Sequence, residues 1–252
     1  MLSPEQQHQR YTQQAGWTKP LRDHLFSQLK LPKPYCMLDV GCGTGALAAE
    51  LQRYSSALKV GIDIHFPSLR FFQSLTNAFF LMQADGLQLP FSSNSFHLCL
   101  CHFLLLWVSD PLQVLREMHR VTCMGGYVLI LAEPDYGGRI DYPPKLAVAG
   151  KLQCQALQRR GADVMIGRKL KSLLYQAGFE VLESGVLGGQ WSSQTEAEGS
   201  KLEWETFQHD VQGLIAPHEL LHLKEAVRQA EKDHARVLFI PTFYAVAQKS
   251  SH

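Results

Sequence analysis

The sequence has no run near the ~18 apolar residues that a membrane-spanning helix requires. Its opening stretch, MLSPEQQHQRYTQQAGW, also lacks the apolar centre of a secretory leader. A cytoplasmic protein without a membrane span is the expectation. Blocks of like charge are missing too: 24 basic and 23 acidic residues are scattered to a net charge of +1. No basic stripe offers itself to nucleic acid. Six cysteines (Cys36, Cys42, Cys99, Cys101, Cys123 and Cys154) form neither a CxxC pair nor a Cys/His pattern. They read as reduced, small apolar residues, and no metal is expected.

What the sequence does hold is core material. At 252 residues and 46% hydrophobic content, it suffices for one large α/β domain. Residues 4–30 read as a helix that stops before Pro32 and Pro34. Apolar runs at 36–40, 58–64, 78–85, 96–103 and 127–134 read as strands, with helices between them. Because each run is apolar on both faces, the sheet is expected to be parallel and covered on both sides. In the helix over 110–122, Asp110 suits the N-cap and Pro111 the first turn, and Gly125-Gly126 end the turn that follows. Beyond Pro134 the sequence predicts a loop at 135–144, helices over 145–160 and 167–178, a strand at 179–188, and a closing strand over 236–249. The expected layout is one domain over 1–252: a helical cover (1–34), a core (35–134), helical insertions (135–165 and 190–235) and the last strand (236–249).

The most informative stretch is LDVGCGTGALAAEL, residues 38–51: a strand, a glycine turn and a helix start. Gly41 and Gly43 let the turn tighten and a ligand approach the backbone, while Gly45 opens a helix whose free N–H groups favour negative charge. Alone, the pattern also fits a dinucleotide site, with Ala46 in place of the last glycine. Asp63, at the end of the next strand, suits the ribose hydroxyls of either kind of ligand. Two carboxylates discriminate. Asp39 faces the place where a pyrophosphate would be repelled and an ammonium welcomed, and Asp85 can accept from an adenine amino group.

With these residues in view, the chain resembles the class I S-adenosylmethionine-dependent methyltransferases of the ubiquinone/menaquinone methyltransferase-like group. The matching segments are MLDVGCGTG, GID, QADGLQLPFSSNSF, SDPLQVLREMHRVTCMGG, EPDYGG and, further on, GRKLKSLLYQAGFEVLE. The resemblance implies a Rossmann-like seven-stranded α/β sheet in the order 3-2-1-4-5-7-6, its last strand antiparallel. It implies S-adenosylmethionine as cofactor and a small-molecule acceptor. Asp39 and the loop of Gly41, Cys42, Gly43 and Gly45 would hold the methionine part, Asp63 and Ile64 the ribose, and Asp85, Gly86 and Leu87 the adenine. Tyr11 and Arg22 either fold over the cofactor, with Arg22 on its carboxylate, or belong to a plain amphipathic helix.

Methyl transfer from a sulfonium needs alignment and dryness more than a base. The segment CLCHFLLLWVSDP (99–111) matters here, because Leu106-Trp107 stands where relatives often carry polar residues, and His97 replaces a frequent Asp. The remaining catalytic candidates are His102, Glu133 and Tyr136, with Trp107, Asp135 and Tyr142 for the acceptor pocket. Each has a plainer alternative: a satisfied structural His, carboxylates and tyrosines that orient a loop, a Trp in the core. The insertion at 190–235 supplies Trp191, Trp204, Phe207 and His209 as cover. His218 and His222 share a helix face but lack a partner pattern, and read as packed or solvated. An NAD(P)-dependent reductase and a catalytically silent cofactor-binding module are the alternative functions.

Overall fold

The computed structural model describes residues 3–53, 58–188 and 196–250. In chain order its elements are α1 (Pro4–Gln28), β1 (Cys36–Val40), α2 (Ala48–Leu51), β2 (Leu58–Asp63), α3 (Phe66–Leu75), β3 (Phe80–Gln83), β4 (Phe96–Cys101), α4 (Pro111–Val121) and β5 (Thr122–Pro134). There follow β6 (Ile140–Tyr142), α5 (Ala147–Arg159), α6 (Ile166–Gln176), β7 (Glu180–Leu187), α7 (Glu196–Asp210), α8 (Pro217–Lys232), β8 (Val237–Phe239) and β9 (Thr242–Gln248).

Seven strands form one sheet in the order β3-β2-β1-β4-β5-β9-β7. Only β9 runs against its neighbours β5 and β7, which matches the order and the antiparallel closing strand that the resemblance implies. Alternate residues of the central strands feed two cores. Leu38, Val40, Cys99, Cys101, Val128 and Ile130 pack with α4 and α6, while Met37, Leu98, Leu100, Leu129 and Leu131 pack with α1 and α3. Burial on both faces accounts for the near-continuous apolar runs. The Asp110 carboxylate caps α4 by accepting the Gln113 N–H at 2.9 Å, and Val114, Leu115, Met118 and Val121 turn inward. A third cluster joins α5, α7 and α8 through Ala149, Ala156, Phe207, Val211, Leu223 and Val227.

Four local expectations change. The closing strand is broken at Ile240-Pro241, and its first part, β8, pairs with β6 in a separate ribbon. Pro241 cannot donate to a ladder, and its carbonyl instead accepts the Asp135 N–H at 2.7 Å. The stretch 135–144 is therefore not all loop. Gly125-Gly126 lie within β5 as a bulge, between the pairings Phe96–Thr122 and Leu98–Tyr127. The inward face of α1 is polar as well as apolar, with Thr18 and Arg22 buried beside Ala15 and Leu25.

Candidate functional site

The carboxyl ends of β1, β2, β4 and β5 converge on the glycine turn. The N–H groups of Gly41 and Cys42 both donate to the Ile62 carbonyl, at 2.8 and 2.9 Å, fastening the turn to β2. Gly45 sits at φ +78°, and a Cβ there would stand 2.4 Å from the Phe72 ring; at Gly41, φ +74°, it would stand 2.7 Å from Leu104. Both positions are closed to a side chain. Gly43 differs: the nearest atoms to an added Cβ are the Tyr11 ring at 3.7 Å and Asp63 Oδ2 at 3.9 Å. Its N–H donates to Asp63 Oδ2 at 2.8 Å, and the His65 N–H donates to Asp63 Oδ1 at 2.8 Å.

Asp39 is 4% exposed, and no donor among the described residues reaches its carboxyl. Burial first, and the charge of Asp63 second, push its pKa up to about 7. A nearly buried carboxyl beside a second carboxylate and an unobstructed glycine suits a ligand that brings positive charge and hydroxyl donors. The residues fit S-adenosylmethionine and oppose a pyrophosphate. Asp85 is exposed and orders its own turn by accepting the Leu87 N–H at 2.9 Å. Gly86 lies over Val40 and Val114, and Ile64 is exposed beyond Asp63.

α1 roofs this turn. Tyr11 lies over Gly43, and the His8 Nδ1 and Thr44 Oγ1 are 3.1 Å apart. Arg22 does not point to a ligand. At 1% exposure it needs a buried counter-charge, and it finds Glu50: Nε donates to Oε1 at 2.9 Å and Nη2 to Oε2 at 2.5 Å. It also donates to the Ala15 carbonyl at 2.8 Å and to Thr18 Oγ1. Of the two readings of Arg22, on a cofactor carboxylate or within the helix packing, its described contacts are those of this internal pair. Thr18 Oγ1 lies 3.0 Å from His102 Nε2. Burial and the Arg22 charge bring the His102 pKa down to about 3, so the imidazole is neutral, packed edge-on against Phe103.

The catalytic candidates on β5 are otherwise engaged. Glu133 is wholly buried, and its carboxylate accepts the backbone N–H groups of Leu104, Leu105 and Leu106 at 3.0, 2.8 and 3.2 Å. Burial pushes its pKa up to about 8, against the pull of those three donors. It holds the 3-10 turn Leu105–Trp107, which follows Phe103 at φ +54°. Asp135 is clamped by Arg168, with Nη2 at 2.7 Å from Oδ1 and Nε on Oδ2, and accepts the Gly138 N–H at 3.0 Å. Tyr142 pairs with Val237 in the β6–β8 ribbon, half exposed. Leu106 is buried, but Trp107 is 41% exposed, with the Arg160 guanidinium 5.1 Å from its ring.

A charged cluster closes the other side. Asp210, at the end of α7, is buried; Arg160 Nη1 donates to its Oδ1 and Gln153 Nε2 to its Oδ2, both at 2.9 Å, and Arg10 Nη2 stands at 3.6 Å. Tyr136 is packed by this cluster: burial raises its pKa, while Arg10 and Arg160 pull it down. Arg10, Thr18, Glu50, Arg160 and Asp210 escape sequence reading because most of their partners lie far away along the chain. The spacing of Ala15, Thr18, Arg22 and Leu25 along one helix face is the one available signal. Trp191 lies outside the described residues. Trp204 and Phe207 pack together at 5.3 Å, and the rings of His218 and His222 stand 6.4 Å apart.

Comparison with known proteins bears on the same region. Residues 38–130 match a family model described as a methyltransferase domain. A malonyl-[acyl-carrier protein] O-methyltransferase of Pseudescherichia vulneris is 32% identical over 120 residues, covering 48% of this chain and 47% of that protein. The chain thus spans about half the length of the malonyl relatives it matches. A demethylmenaquinone methyltransferase of Lactobacillus johnsonii is 33% identical over 187 residues, 66% of this chain and 75% of that protein. Among solved structures, a geranyl diphosphate methyltransferase in complex with GPP and sinefungin shares the fold, with TM-score 0.57 and 14% identity over 92% of this chain and 78% of that one. No helix among the described residues is long and apolar enough to cross a membrane.

Proposed function

The chain belongs to the S-adenosylmethionine-dependent methyltransferases, and on that premise we propose that it methylates a small acceptor by alignment and exclusion of water, without a protein base. The observation that carries this reading is the engagement of three of the polar candidates, Glu133, Asp135 and His102, by other groups of the chain. The Glu133 oxygens are taken by three backbone N–H groups, Asp135 by Arg168, and His102, beside Thr18, is a poor proton acceptor because burial brings its pKa down to about 3.

S-adenosylmethionine, when bound, supplies a methyl group made electrophilic by the adjacent sulfonium. The chain's own residues do the rest. Asp39 and the Gly41–Gly45 turn would hold the amino-acid end, Asp63 the ribose and Asp85 with Leu87 the adenine, with Tyr11 as a roof over Gly43. The turn Leu104–Trp107, fixed by Glu133, forms an apolar rim against which an acceptor is desolvated and aligned. The acceptor must therefore bring a nucleophile that is already competent, or one that sheds its proton to water. Relatives named for malonyl-[acyl-carrier protein] and for demethylmenaquinone leave room for a carrier-borne or a free acceptor.

The test is calorimetric titration with S-adenosylmethionine and S-adenosylhomocysteine, followed by turnover of methyl-labelled cofactor with a mixed acceptor pool. Binding with label transfer supports the proposal. Binding without any transfer supports a silent module instead, and preference for NADH over S-adenosylmethionine supports a reductase.

A further inference from the structure

The cluster around Asp210 carries more cation than a latch between α1 and the helical cap requires. Two guanidiniums, Arg10 and Arg160, share one carboxylate, and that carboxylate is also occupied by Gln153. Arg160 takes the short contact at 2.9 Å, leaving Arg10 at 3.6 Å. Arg10 Nε and His209 Nδ1 are buried without a hydrogen-bond partner. Among the described residues neither arginine has a second acidic partner, and buried donors in excess of acceptors are costly unless something supplies the acceptors.

The place is suited to a small ligand. The Arg160 side chain is 45% exposed, and its guanidinium lies over the open ring of Trp107. The same arginine also lines a cleft of about 370 Å³ with Arg159, His209, Asp210 and Leu214, a cleft whose lining does not extend to Arg10 or Trp107. The cofactor turn is close by: Tyr11, the roof of Gly43, feels the charges of Arg10, Arg160 and Asp63 together. Trp107 follows β4, where ligands of parallel sheets gather. A guanidinium over an aromatic ring, with Nη1 committed to Asp210, keeps its remaining N–H groups for a planar anion.

We propose that the methyl acceptor carries a carboxylate, which Arg160 and Arg10 receive beside the face of Trp107, with Asp210 as their resident counter-ion. The proposal rests on the methyltransferase reading and names the substrate class of that site. It concerns recognition of the acceptor; Asp39, Asp63 and the glycine turn stay with the cofactor.

The experiment uses the full chain saturated with S-adenosylhomocysteine and titrates it with benzoate and with benzamide, its neutral counterpart, in the wild type and in Arg160→Gln and Arg160→Lys. The side chain of Arg160 is half exposed, so these variants keep the core. Benzoate is expected to bind the wild type about 10-fold or more tightly than benzamide. Arg160→Gln should erase that preference, Arg160→Lys should retain part of it, and affinity for S-adenosylhomocysteine should not change. The proposal is overturned if benzoate binds no better than benzamide, or if the preference survives in Arg160→Gln. It is also overturned if that variant loses affinity for S-adenosylhomocysteine, which would assign the arginines to the cofactor. Failure of S-adenosylhomocysteine to bind the wild type, read before any acid is added, would remove the methyltransferase reading itself.

Discussion

Glu133 accepts the backbone N–H of Leu105 at 2.8 Å, and this bond ties the end of β5 to the turn that follows β4. With the Leu104 and Leu106 N–H groups on the same carboxylate, one buried side chain fixes the apolar rim. It also holds Phe103 in the left-handed region at φ +54°, a conformation that costs a non-glycine residue about 1–3 kcal/mol. In Glu133→Gln an amide N–H must face one of these donors. Above about pH 8, where Glu133 is ionised, the variant should lose about 1–3 kcal/mol in urea unfolding, and turnover should fall more than affinity for S-adenosylhomocysteine. Equal losses in both would mean that the rim does not align the acceptor.

Asp39 gives a dependence on pH with opposite signs for stability and for binding. Its folded pKa, raised by burial and then by Asp63 to about 7, lies above the ordinary 3.8. The folded chain therefore keeps a proton that the unfolded chain has lost, and stability should fall as pH rises from the ordinary carboxyl range through about 7. Affinity for the cationic cofactor should instead rise over the same range, because the ionised carboxylate is the form that attracts it. Titrations between about pH 6 and pH 8 check this, and Asp39→Asn should flatten the trend.

The glycine turn separates folding from binding at two neighbouring positions. Gly45→Ala would drive a Cβ to 2.4 Å from the Phe72 ring at φ +78°, and overpacking of this kind costs about 1–3 kcal/mol. Gly43→Ala meets only ordinary contacts at 3.7 Å and beyond, at φ +52°. It should cost roughly 1 kcal/mol for the left-handed backbone yet weaken cofactor binding about 10-fold or more, since its methyl would enter the space under Tyr11. Thermal unfolding and calorimetry on both variants give the comparison.

The sheet was legible because its signal is local: buried parallel strands are apolar throughout, and Asp110-Pro111 announces a helix start. The clustering of Asp39, Gly41–Gly45 and Asp63 was legible for the same reason, since they lie at the ends of two adjacent strands and in the turn between. Arg22, Glu133 and Asp135 were open to misreading because their partners, Glu50, Leu104–Leu106 and Arg168, are brought to them only by tertiary packing. Pro241 marks a break in the closing strand that the alternating apolar pattern around it conceals.

Arg22 and Glu50 make a buried ion pair whose separation should be costly. Glu50→Gln leaves a guanidinium that is 1% exposed without its counter-charge, and losses of about 3–5 kcal/mol accompany such changes. Denaturant unfolding checks the loss. Burial, with the Arg22 charge second, keeps His102 neutral, with its pKa down at about 3, so the pH profile of turnover should show no limb from this imidazole. His102→Gln should leave the shape of that profile unchanged.

A cationic cofactor between Asp39, the glycine turn and Asp63 is the first requirement of the proposed chemistry. Titration of the full chain with S-adenosylmethionine, in the wild type and in Asp63→Ala, tests it most directly. One equivalent should bind the wild type, and Asp63→Ala, which removes the acceptor of the Gly43 and His65 N–H groups, should bind about 10-fold or more weakly. A flat titration of the wild type, or unchanged affinity in Asp63→Ala, would contradict it.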